Sequence, residues 1–96
     1  MLVIVTYDVS TETMGGSKRL RRIAKCCEDY GQRVQKSVFE CDVDSSQFLL
    51  LKNQLLEIMD GEEDSIRFYK LGKEYKPKIE KYGKNNSYDP EDTLII

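Results

Sequence analysis

At 96 residues, the chain is long enough for one domain and too short for two. Hydrophobic residues make up 40% and charged residues 33%, the profile of a folded soluble chain rather than a disordered one. No apolar run approaches what a bilayer requires, and the net charge of −2 excludes a uniformly basic chain. The absence of histidine removes the commonest zinc ligand, the usual proton shuttle and every His-dependent triad. Any metal would need oxygen ligands, which points to magnesium or manganese. Cys26, Cys27 and Cys41 are odd in number and form no Cys-x-x-Cys pair, so they are expected to be reduced thiols in or near the core. The apolar opening Leu2–Val5 is too short for a signal peptide and is soon followed by Asp8, so a cytoplasmic location without membrane association is expected.

Leu2 to Tyr7 is rich in β-branched residues with no polar alternation until its end, and predicts a strand covered on both faces, hence central in its sheet. Asp8 stands at its end. Ser10 to Gly16 carries two glycines and three hydroxyls, which predicts a flexible loop. Ser17 is a candidate N-cap for a helix closing near Tyr30, with Gly31 as its stop. Leu20, Ile23, Ala24 and Cys27 form its buried stripe, and the arginines and lysines lie opposite. Arg33 to Val43 predicts two short strands with a tight turn near Gln35–Ser37, a single bent strand being the alternative. Asp44 and Gln47 form a capping-box pattern that opens a second helix. Phe48, Leu51, Leu55 and Met59 line its inner face, with Leu49, Leu56 and Ile58 expected to widen it, and Asp60-Gly61 ends it. Ser65 to Leu71 is a last strand, with Ile66 and Phe68 on one face and Arg67 and Tyr69 on the other.

Strand, helix, two strands, helix, strand is the order of an α+β, ferredoxin-like βαββαβ sandwich, with both helices on one face of a four-stranded sheet. A small domain of this size buries roughly 60–65% of the surface its unfolded chain exposes. The second sheet face has no helix left to cover it, which predicts a symmetric homodimer packed sheet to sheet. The domain is taken as residues 1–83. Residues 84–96 are taken as a polar linker and an extra C-terminal strand, Leu94-Ile95-Ile96, docking on a sheet edge of the partner subunit or of its own chain.

Two features carry candidate chemistry. Asp8 sits at a strand end beside a Gly/Ser/Thr loop and a basic helix, a position suited either to holding a divalent ion or to capping the strand. A two-fold axis close to it would bring two carboxylates together and permit phosphodiester hydrolysis without histidine. Lys18, Arg19, Arg21, Arg22 and Lys25 put five cations within eight residues with no acid between them. That run reads as a solvated face or as a set of phosphate contacts. No zinc finger, helix-turn-helix or RNP1 string points to base readout.

Thr6-Tyr7-Asp8-Val9 at a strand end, the Lys/Arg-rich helix, Tyr30-Gly31-Gln32-Arg33-Val34-Gln35-Lys36-Ser37-Val38-Phe39-Glu40 and Asp64-Ser65-Ile66-Arg67-Phe68-Tyr69-Lys70-Leu71 together resemble the CRISPR-associated protein 2 family over most of residues 1–71. The resemblance implies a ferredoxin-like homodimer in prokaryotic adaptive immunity, acting at spacer acquisition. It implies a metal-dependent endonuclease cutting RNA or DNA. The alternative is a non-catalytic adaptor that holds DNA and bridges dimers of an integrase, CRISPR-associated protein 1. On this resemblance Asp8 would bind Mg2+ (or Mn2+) with its counterpart, and Tyr7 would flank that catalytic site. Arg33 and Phe39 fall on motif positions that support nucleic-acid binding or cleavage. Arg19, Arg22 and Lys18 are candidates on the basic helix.

Overall fold

The computed structural model describes residues 1–84, and these form β1 (Leu2–Asp8), α1 (Gly16–Glu28), β2 (Gln32–Gln35), β3 (Val38–Asp42), α2 (Ser45–Ile58) and β4 (Ser65–Gly72). A short 3-10 turn at Lys76–Lys78 follows. The four strands make one antiparallel sheet in the order β2-β3-β1-β4, the ferredoxin-like arrangement expected from the element order. β1 is central, as its apolar run predicts. Among the described residues no helix is long and apolar enough to cross a membrane. The expected linker and terminal strand lie, beyond Lys84, outside the described residues.

Both helices cover the same sheet face. Val3, Val5 and Tyr7 of β1 and Phe39 and Cys41 of β3 pack there with Ile23, Ala24 and Cys27 of α1 and Phe48, Leu51 and Leu55 of α2. The three cysteines are buried, unpaired thiols. Burial pushes the Cys41 thiol up to about 12 and raises Cys27 further, so neither is a ready nucleophile. On the opposite face Ile4 stands across from Glu40 and Tyr69, and Thr6 across from Val38 and Arg67. That second face is therefore mixed in polarity and only half-covered, less apolar than the β1 run suggests by itself.

Local sequence accounts for most boundaries. The capping box of α2 is present in both directions: Gln47 N–H donates to Asp44 Oδ1 at 2.8 Å, and Asp44 N–H donates to Gln47 Oε1 at 2.9 Å. The turn between β2 and β3 is Lys36–Ser37, as expected. α1 differs from expectation at both ends. It is capped by Gly15 at φ 81°, not by Ser17, because the preceding loop closes tightly on the helix start. A Cβ on Gly16 would overlap the Ser10 carbonyl and approach Thr11 Cα to 2.8 Å. At the other end the helix closes at Asp29 in a right-handed conformation. Gly31 does not supply a left-handed stop; it allows the chain to pass against Glu40 and Cys41, where a side chain would not fit.

Leu49 and Leu56, expected to widen the inner face of α2, point outward instead, at 55% and 48% exposure. The buried arc is the narrower set Phe48, Leu51 and Leu55, with Ile58 and Met59 packed at its edge. Leu55→Ala should therefore cost about 2–5 kcal/mol of stability through lost burial and an uncollapsed cavity. Leu56→Ala should stay within about 0.5 kcal/mol of wild type, as surface changes usually do. Denaturant unfolding of the two variants checks the difference.

Candidate active site and cationic face

The end of β1 gathers acids and hydroxyls. Asp8 pairs in register with Ser65, the first residue of β4, so two strand termini meet there. Asp8, Ser10, Thr11 and Glu12 from one side and Glu62, Glu63, Asp64 and Ser65 from the other line a shallow cleft of about 500 Å³. The Asp8 side chain is exposed, and among the described residues no hydrogen bond or ion pair engages its carboxylate. The donors around it are oxygens only, the set that suits a hard divalent cation. No group of three metal-ligating side chains forms among the described residues of one chain. The donor set thus fits magnesium or manganese in kind. In number it leaves positions for water, substrate or a second copy.

Asp64, whose neighbour Ser65 faces Asp8, does a different job from the exposed acids. Its side chain is fully buried, and both of its oxygens are occupied. Arg19 Nε donates to Oδ2 at 2.8 Å and Nη2 to Oδ1 at 3.2 Å. Ser10 N–H donates to Oδ1 at 3.1 Å and Asp60 N–H to Oδ2 at 2.9 Å. The same guanidinium donates to the carbonyls of Met14 and Ser10 and to Thr13 Oγ1. One ion pair therefore ties together the loop after β1, the first turn of α1 and the turn before β4.

Three residues expected at the site occupy other environments. Tyr7 follows the period-two alternation of β1: Asp8 faces out and Tyr7 faces the core, 6% exposed. Its ring stacks on Phe39 with centroids 6.2 Å apart, and its hydroxyl donates to the Lys36 carbonyl at 3.4 Å. Burial raises its pKa, with Arg33 pulling the other way. Phe39 is wholly buried, so it can touch no ligand directly; it supports Arg33, whose guanidinium carbon lies 5.3 Å from its ring centroid. Arg19 is turned inward onto Asp64 rather than outward.

The remaining basic residues are accessible. Lys18, Arg21, Arg22 and Lys25 are exposed on α1, where they line a shallow groove of about 590 Å³ facing Gln54 and Glu57 of α2. Lys25 also pairs with Asp29 at 3.0 Å. Sequence reasoning missed the role of Asp64, because it lies in the acidic run from Asp60 that resembles an ordinary solvated turn. The one sequence signal was its position as the first residue of the Asp64–Leu71 stretch.

The Asp64 linkage has a pH signature. Hydrogen bonding from Arg19, helped by the Asp60 and Ser10 amides and opposed by burial, holds its carboxyl below the usual carboxylate range. Its contribution to stability is thus present above the unfolded-state value of about 3.9 and is lost as pH falls through the lower folded value. Between about pH 5 and about pH 2 the Tm of wild type should fall more steeply than that of Asp64→Asn, which thermal unfolding across that range will check.

Residues 1–79 match the family model described as CRISPR associated protein Cas2. The chain is 58% identical over 96 residues to a protein of Halalkalibacterium halodurans named CRISPR-associated endonuclease Cas2, with both chains covered completely. It is 57% identical over 96 residues to the CRISPR-associated endoribonuclease Cas2 of Nitratidesulfovibrio vulgaris, covering 100% of this chain and 94% of that protein. The crystal structure of Streptococcus pyogenes Cas2 at pH 6.5 superposes with a TM-score of 0.76 at 57% identity, over 86% of this chain and 100% of that one. The ferredoxin-like topology, the Asp8 strand end and these matches agree: the chain belongs to the CRISPR-associated Cas2 family.

Proposed function

We propose that this Cas2-family chain is a CRISPR-associated endonuclease that hydrolyses phosphodiester bonds with Mg2+ or Mn2+ held at Asp8. The observation that carries this reading is the Asp8 carboxylate: exposed, unengaged among the described residues, and ringed by oxygen donors in a chain without histidine. The relatives' names, endonuclease and endoribonuclease, support the activity. A bound ion supplies Lewis-acid polarisation of the phosphodiester and acidifies water. The chain's own part is to present Asp8 on the outer sheet face, with its counterpart brought by a second copy across a two-fold axis. The half-covered outer face around Ile4, Val38 and Tyr69 favours such a homodimer. Arg33 on the neighbouring hairpin, backed by Phe39, and Lys18 and Arg22 on α1 would meet phosphates by charge, without reading base edges. The cleavage step rests on few protein groups, which favours a slow enzyme.

A second reading is supported by the cationic groove along α1: a homodimeric adaptor that holds duplex DNA and bridges integrase dimers (CRISPR-associated protein 1) during spacer acquisition. One experiment separates the two. Labelled single-stranded RNA and double-stranded DNA are incubated with wild type and Asp8→Ala in Mg2+, Mn2+ or EDTA. The nuclease reading predicts cleavage of at least one substrate by wild type with metal, and loss of about 100-fold or more in the variant. Equal cleavage by both proteins would contradict it. No cleavage with salt-sensitive duplex binding by both would favour the adaptor.

A further inference from the structure

Asp8 is the last residue of β1, and the chain beyond it is free to move unless something fixes it. Three observations show how it is fixed. Two residues after Asp8, both backbone groups of Ser10 are held: its N–H by Asp64 Oδ1 at 3.1 Å and its carbonyl by Arg19 Nη2 at 3.4 Å. Across the sheet, Ser65 is the register partner of Asp8 and directly follows Asp64. The turn bearing Glu62 and Glu63 closes on the same carboxylate, through Asp60 N–H to Oδ2 at 2.9 Å and Asp64 N–H to the Asp60 carbonyl at 2.8 Å. Both sides of the acidic cleft are thereby referred to one buried group. Asp64 itself has no oxygen to spare for a cation, since four donors converge on its carboxylate.

We infer that Asp64 and Arg19 are positioning residues for Asp8, and that this buried ion pair sets how tightly the strand-end carboxylate retains a divalent cation. The inference rests on the reading in which Asp8 holds that cation. Asn at position 64 would keep the shape but turn an NH2 group toward donors that are already present, either Arg19 or the Ser10 and Asp60 amides, and the loop would lose an anchor. Lys at position 19 would keep the charge facing Asp64 but lose the planar fork that also holds Ser10, Thr13 and Met14. Removal of groups that orient a metal ligand typically weakens metal affinity by about 10–100-fold.

The test is titration of the full-length protein with Mn2+ alone, free aqua-ion being read by electron paramagnetic resonance, so that no cleavage is needed. Wild type is compared with Asp64→Asn, Arg19→Lys, Leu55→Ala and Asp8→Ala. The expected result is a Mn2+ Kd raised about 10–100-fold in Asp64→Asn and by a smaller factor in Arg19→Lys. Leu55→Ala, a core truncation that removes none of the hydrogen bonds to Asp64, should bind as wild type does. Wild-type affinity in folded Asp64→Asn would overturn the inference, as would equal weakening in Leu55→Ala, which would reduce the effect to general loss of stability. Should Asp64→Asn fail to fold, Arg19→Lys decides by the same criterion. Unchanged Mn2+ binding in Asp8→Ala is a separate failure and would overturn the role of Asp8 itself.

Discussion

β1 is hydrogen-bonded along both edges, to β3 and to β4, and cannot slip without breaking two ladders at once. Its register therefore assigns each side chain to a face. Val3, Val5 and Tyr7 go to the helix-covered core, while Ile4, Thr6 and Asp8 go to the open side. A slip of one residue would bury a carboxylate and expose a tyrosine, a costly exchange in a core this small. The same alternation delivers the carboxylate proposed to hold the metal. The strand puts a carboxylate on the outer face where the last ladder pair, Asp8 with Ser65, opens into the acidic cleft.

Around this strand the charged residues divide into two kinds. Arg19 and Asp64 are used internally, and a hydrogen-bonded pair built on a fully buried carboxylate rigidifies what it touches. It contributes no net charge to the cleft. Lys18, Arg21 and Arg22 remain on the surface of α1, one turn away or less, and supply the positive field that the near-neutral total hides. Arg33 falls between the two kinds: exposed, yet braced by the Phe39 ring beneath it. Motif residues that look equivalent in a basic or aromatic run thus separate into supports and contacts once burial is known.

Much of this was legible in the sequence. The β1 run, the α2 capping box at Asp44 and Gln47 and the alternation from Ile66 to Tyr69 each carry a local signal, and each forms where that signal puts it. The β2–β3 turn at Lys36–Ser37 has no glycine to mark it and separates from a single bent strand only in the folded sheet. Tertiary facts were less legible. Gly16 and Gly31 resemble loop and stop glycines, but their requirement is close approach to Ser10 and to Glu40–Cys41, which only the packed chain reveals. Leu49 and Leu56 satisfy a helical stripe in composition, yet only the narrower arc of Phe48, Leu51 and Leu55 is buried against the sheet and α1. At the candidate site, the exposed strand-end position of Asp8 was legible from where the β1 run stops. Period two alone would have sent Tyr7 inward. What separates Arg19 from Arg22, or Asp64 from Glu63, is a partner 45 residues away, and no local pattern records it.

The measurement that bears most directly on this account compares metal-dependent cleavage by Tyr7→Phe and Asp8→Asn. The Tyr7 hydroxyl faces the β2–β3 turn and Asp8 faces the cleft. The account predicts that Tyr7→Phe keeps its rate within about threefold, while Asp8→Asn loses about 100-fold or more. A loss in Tyr7→Phe as complete as in Asp8→Asn, with the fold intact, would contradict it by putting the phenol on the same face as the chemistry.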